Sequence, residues 1–87
     1  MALDDLLFEY FGTREMAHVP PAAQLAGTER IEVDLGLETD RGRRFALWCL
    51  LYMLDAAPDL DVAFKEEADR EAARNFRDLL AAGAGDE

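Results

Sequence analysis

Eighty-seven residues, 51% of them apolar, suit one domain with a single core, and at this size that core is thin unless it is dense or shared with a second copy. Nineteen acidic side chains against nine basic ones give a formal charge of −10, a field that repels a phosphate backbone and argues against direct binding of DNA or RNA. The single cysteine, Cys49, rules out an intrachain disulfide, and the longest apolar run, 45–54, is far shorter than the roughly 20 residues that cross a bilayer.

The first residues, Met1 to Asp5, have neither the positive charge nor the apolar stretch of a secretory signal, so a cytoplasmic setting is the expectation. Leu3, Leu6, Leu7, Tyr10 and Phe11 then recur at helical spacing, with Asp4 and Asp5 suited to the positive end of the helix dipole. Gly12 follows as the residue that can take a left-handed conformation and end the helix. From 13 to 30 the pattern breaks. Pro20-Pro21 excludes a continuous helix, and the spacing predicts an irregular segment in which Pro21 opens a short helical turn through Leu25, closed by Gly27.

Ile31, Val33, Leu35 and Leu37 alternate with Glu32, Asp34, Gly36 and Glu38, which predicts an extended segment over 31–37. No second strand of comparable quality is present, so this segment is expected either to lie as a strap over the helices or to pair with its counterpart in another copy. Thr39 or Asp40 is placed to cap the next helix, which is predicted to run to about Ala57 and stop before Pro58. It is apolar on every side from Phe45 to Leu54, and a helix without a polar face must be covered from more than one direction.

Asp59 or Asp61 can cap a last helix, on which Phe64, Ala68, Ala72, Phe76, Leu79 and Leu80 share a stripe while Glu66–Arg70 and Glu71–Arg74 are spaced for ion pairs on the other side. The acidic, glycine-containing tail 83–87 is expected to fray. The prediction is therefore a mainly α protein, a small three-helix bundle with a short extended segment near 31–37, forming one helical domain over 1–82.

Candidate chemistry is sparse. His18 has no ligand or catalytic partner at recognisable spacing, and Cys49 sits among Trp48 and Leu50, where burial suppresses thiolate formation. Asp55, Asp59 and Asp61 lack the glycine and terminal glutamate of a calcium loop, and capping of the last helix explains two of the three, Asp59 and Asp61. No metal, cofactor or catalytic constellation is expected, and the chain reads as a non-enzyme.

Arg41, Arg43 and Arg44 are unusual, because cations in the first turn oppose the helix dipole. Pairing with Glu32, Asp34, Glu38 or the carboxylates of the first helix would compensate them; the alternative is recognition of an acidic partner. Trp48 and Tyr52 are natural interface anchors if one face of their helix stays open. These five residues are the candidate partner-binding set. The expected function is that of a small acidic regulatory protein that acts by binding another protein, with a homodimer through the central helix or the 31–37 segment as one form. Two alternatives are an acidic, phosphate-mimicking inhibitor of a nucleic-acid enzyme, built on Glu66, Glu67, Asp69 and Glu71 beside Asp55, Asp59 and Asp61, and a non-catalytic enzyme subunit.

Overall fold

A computed structural model describes the backbone of residues 3–85 and the side chains of residues 3–82. The protein is mainly α. Contacts divide it at the Ala57–Pro58 peptide into two compact units.

The first unit is a three-helix bundle of α1 (Leu3–Phe11), α2 (Pro21–Leu37) and α3 (Arg41–Met53), with a short 3-10 turn at Met16–His18 between α1 and α2. α1 ends where the sequence predicts. Gly12 takes φ +73° and donates its N–H to the Phe8 carbonyl at 2.8 Å, closing the last turn in a conformation that a side chain would strain. Pro21 is the first residue of α2, as its missing N–H allows.

Beyond Leu25 the chain differs from what its local pattern predicts. α2 does not close at Gly27, and residues 31–37 are not extended: one helix runs through Gly27 and Gly36 to Leu37. Alternating apolar positions contain an i, i+4 subset, so period two and period 3.6 share Ile31 and Leu35 as the inward pair. Those two are buried, whereas Val33 and Leu37 point outward. A helix also satisfies its own backbone, which a lone strand in this chain cannot do. Gly27 is buried for a packing reason, since a Cβ there would lie 2.2 Å from the Phe11 ring. Its missing side chain lets α1 and α2 approach.

Asp40 caps α3 by accepting the Arg43 N–H at 2.8 Å. Ala46, Leu47, Leu50, Leu51 and Leu54 pack with Leu6, Leu7 and Tyr10 of α1 and Ile31 and Leu35 of α2 to form the core. Six consecutive residues of α3, Ala46 to Leu51, are buried, in keeping with its unbroken apolar run. The helix stops at Met53 rather than Ala57. Asp55 takes φ +62°, its N–H bonds the Tyr52 carbonyl at 3.0 Å, and the Ala56 N–H reaches back to the Leu51 carbonyl at 2.9 Å. This is a Schellman closure with aspartate where glycine is usual.

The second unit holds α4 (Leu60–Ala63) and α5 (Glu67–Gly85). The single last helix expected from the sequence is thus broken at Phe64, whose backbone is extended (φ −131°, ψ 130°). Arg70 holds the break: its guanidinium donates to the carbonyls of Phe64 at 3.0 Å and Lys65 at 2.9 Å, groups that a continuous helix would have satisfied internally. Asp59 occupies the N-cap of α4 without a side-chain bond to an amide. On α5 the predicted stripe is shifted, with Ala73 buried and Ala68, Ala72 and Leu79 exposed. The expected tail from Gly83 is helical in its backbone through Gly85, and residues 86–87 lie outside the described residues.

Candidate functional site

Two of the three arginines at the start of α3, Arg43 and Arg44, make their contacts within the bundle. Arg43 forms ion pairs with Glu9 of α1 and Glu38 after α2, each at 3.0 Å, and the bond to Glu9 raises its pKa further. Arg44 donates to the carbonyls of Leu35 at 2.6 Å and Glu38 at 3.0 Å, groups left over at the C-terminal end of α2. These cations therefore face the negative end of one helix while residing at the positive end of the next. Glu38 completes the connection by accepting the N–H groups of Thr39 and Asp40 at 3.2 Å. Arg41 is exposed at the first position of α3.

Trp48 and Tyr52 stack with ring centroids 5.5 Å apart; Trp48 is buried and Tyr52 half-buried. Cys49 is buried beside Trp48 in the chain, and burial pushes its thiol up to about 12, far from nucleophilic use near neutral pH. His18 is exposed at the end of the 3-10 turn, with Nε2 3.3 Å from Glu15 Oε2, a carboxylate partner that the sequence reading did not anticipate. Among the described residues no three His, Cys, Asp or Glu side chains are grouped to hold a metal ion, and no helix is long and apolar enough to cross a membrane. In the second unit Glu67 is engaged by both Arg70 and Arg74 at 2.9 Å, and these two bonds hold its carboxyl below the usual range. The ion pairs Glu66–Arg70 and Glu71–Arg74 expected from spacing give way to this shared glutamate. Carboxylates expected to stand together as a phosphate-like row are thus interleaved with cations in this unit.

Two features stand out that the sequence reading passed over. The first is a polar contact within the bundle, where the Tyr10 hydroxyl donates to Asp34 Oδ2 and Arg30 lies over the Tyr10 ring at 5.5 Å. Burial, reinforced by the hydrogen bond to Asp34 and that carboxylate's charge, pushes the Tyr10 phenol up to about 12.

The second is the outer side of α2. Val33 and Leu37 are 60% and 76% exposed there, and Leu25, 65% exposed, stands on the flank about 80° round the helix from Val33. A shallow depression of about 440 Å³ runs along the outer side, lined by Ala26, Glu29, Arg30, Val33 and Asp34. A second depression, of about 290 Å³, lies at the C-terminal end of the helix between Leu37, Asp34, Glu38 and Arg43. A helical reading of 21–37 would have shown the signal, because apolar residues then fall on two opposite sides; the strand reading placed Val33 and Leu37 on the covered face with Ile31 and Leu35.

Fold and surface together define a small mainly α helical bundle with an apolar outer helix face. The chain matches no family model, and no curated protein or solved structure matches it.

Proposed function

We propose that this chain is a protein-binding module, a small acidic helical protein of regulatory type that acts through the outer face of α2. One observation carries the reading: α2 is apolar on both sides, with Ile31 and Leu35 buried and Val33 and Leu37 exposed on the opposite side. The inner side accounts for the fold. On the outer side Arg30 and Asp34 reach Tyr10 of α1, while the apolar side chains Val33 and Leu37 stay exposed, and an apolar helix face of this kind is a common docking element for another helix or groove.

A comparison of affinity capture by the parent chain and by a Val33→Glu/Leu37→Glu variant tests it. Both positions are solvent-facing, so the variant keeps its helical spectrum. A bound protein retained by the parent and lost by the variant supports the reading, whereas capture that the double substitution leaves unchanged refutes it.

A further inference from the structure

Ala22, Ala26, Val33 and Leu37 follow one line along the outer side of α2, at steps of four, seven and four residues. Glu29 and Arg30 fill the gap between Ala26 and Val33. Consecutive residues stand about 100° apart on a helix, so these two straddle the line, one on each flank. Both are exposed, and among the described residues neither belongs to an ion pair; Arg30 has only the Tyr10 ring at 5.5 Å. Gly36 lies beside Leu37, and a Cβ built on it would meet nothing within 4 Å. Gly36 stands in the last turn of α2, and the bundle makes no use of its missing side chain.

We infer that the occupant of this face is a second copy of the chain, with the two α2 helices packed parallel about a two-fold axis along their length. The inference rests on the reading of α2 as a docking surface. In a parallel two-fold pair each residue lies level with its own counterpart, and the left flank of one helix meets the right flank of the other. Glu29 then meets Arg30 of the second copy, and Arg30 meets its Glu29, giving two ion pairs from charges that have none within one chain. Leu37 lies over the open backbone at Gly36 of the other copy, and Ala22 and Ala26 allow close approach at the opposite end.

An antiparallel two-fold sets Glu29 against Glu29 and Arg30 against Arg30. The flank charges therefore select the parallel arrangement. A helix of 17 residues is about 25 Å long, so the contact is near the lower limit of stable interfaces and the dimer dissociates in the micromolar range. The −10 charge on each copy opposes association at long range, so self-association strengthens as salt is raised toward about 0.15 M, where the screening length is roughly 8 Å. A basic partner would show the reverse.

Sedimentation equilibrium of the full chain, from about 1 µM to 1 mM, tests the pairing directly. A monomer–dimer equilibrium is expected. Glu29→Arg and Arg30→Glu each turn two attractions into repulsions and weaken it about tenfold, and the combined exchange restores it. Gly36→Ala weakens the dimer while leaving the monomer folded. In an oxidised mixture, Ala26→Cys cross-links with itself and not with Val33→Cys, because only the antiparallel arrangement brings positions 26 and 33 together.

A chain that is monomeric at 1 mM overturns the inference, as does a dimer indifferent to both charge reversals or one cross-linked between positions 26 and 33. If the chain is monomeric but captures a different protein in a manner lost with Val33→Glu/Leu37→Glu, only the identity of the occupant is wrong. Loss of both results removes the docking surface itself.

Discussion

Gly27→Ala adds one methyl group at the closest approach of α1 and α2, where the physical terms oppose each other. The new Cβ would stand 2.2 Å from Phe11 Cε1, 2.6 Å from Cζ and 2.9 Å from Cδ1, well inside contact distance, so the ring must leave its place against the core. Alanine for glycine in a helix interior favours the fold by about 1 kcal/mol. Overpacking typically costs about 1–3 kcal/mol, and Phe11 is only partly free to retreat because its ring is half-buried. The expected outcome is a net loss of roughly 1–2 kcal/mol, read in urea by the fluorescence of Trp48. In a Phe11→Leu background the obstruction is gone and Gly27→Ala becomes neutral or stabilising, so the double-mutant cycle shows a coupling above about 1 kcal/mol. Gly36→Ala, in the last turn of the same helix, has open space and stabilises the monomer by up to about 0.5 kcal/mol. If Gly27→Ala stabilises the protein as Gly36→Ala does, the packing of α1 on α2 described here is wrong.

Asp55→Gly relieves a left-handed conformation and removes a negative charge from the C-terminal end of α3, and a rise in stability of about 0.5–1 kcal/mol is expected by urea denaturation. Arg70→Ala releases the carbonyls of Phe64 and Lys65 and lowers stability by about 1–2 kcal/mol, while Arg70→Lys recovers little because an ammonium cannot span both carbonyls and Glu67; differential scanning calorimetry distinguishes the three. Tyr10 has a folded pKa above its unfolded value near 10, so the neutral phenol's contribution, about 3 kcal/mol, is fully present below pH 10 and is lost as pH rises toward about 12. Tyr10→Phe should flatten that alkaline decline, measured as urea midpoints between pH 8 and 12. Cys49 should react with a thiol reagent at neutral pH only as fast as the protein unfolds, and fast labelling of the native chain would contradict its burial.

Much of the first unit was readable from local chemistry. The i, i+3, i+4 spacing of α1, the glycine that ends it, the proline that opens α2 and the aspartate that caps α3 all act within a few residues, and each stands where the sequence puts it. The extended segment at 31–37 went wrong because alternating and helical patterns share every fourth residue, and nothing local separates them. That one error also hid the outer face of α2. The break at Phe64 was equally hidden, since no glycine or proline marks it; it depends on Arg70, six residues on, reaching back to satisfy carbonyls. The first-turn arginines gave a true signal of compensation. Glu38 and a carboxylate of the first helix, Glu9, are among the partners the sequence offers Arg43, whereas the turn of Arg44 toward the carbonyls at the end of α2 emerges only once the helices are placed.

Methyl NMR of α2, recorded on the free chain and on its complex with a second copy or a captured protein, separates the folding face of the helix from its binding face. Val33 and Leu37 should shift or broaden on binding while Ile31 and Leu35 stay in place. A complex that forms with the methyl groups of both outer residues unmoved would contradict the assignment of the two faces of α2 to folding and to binding.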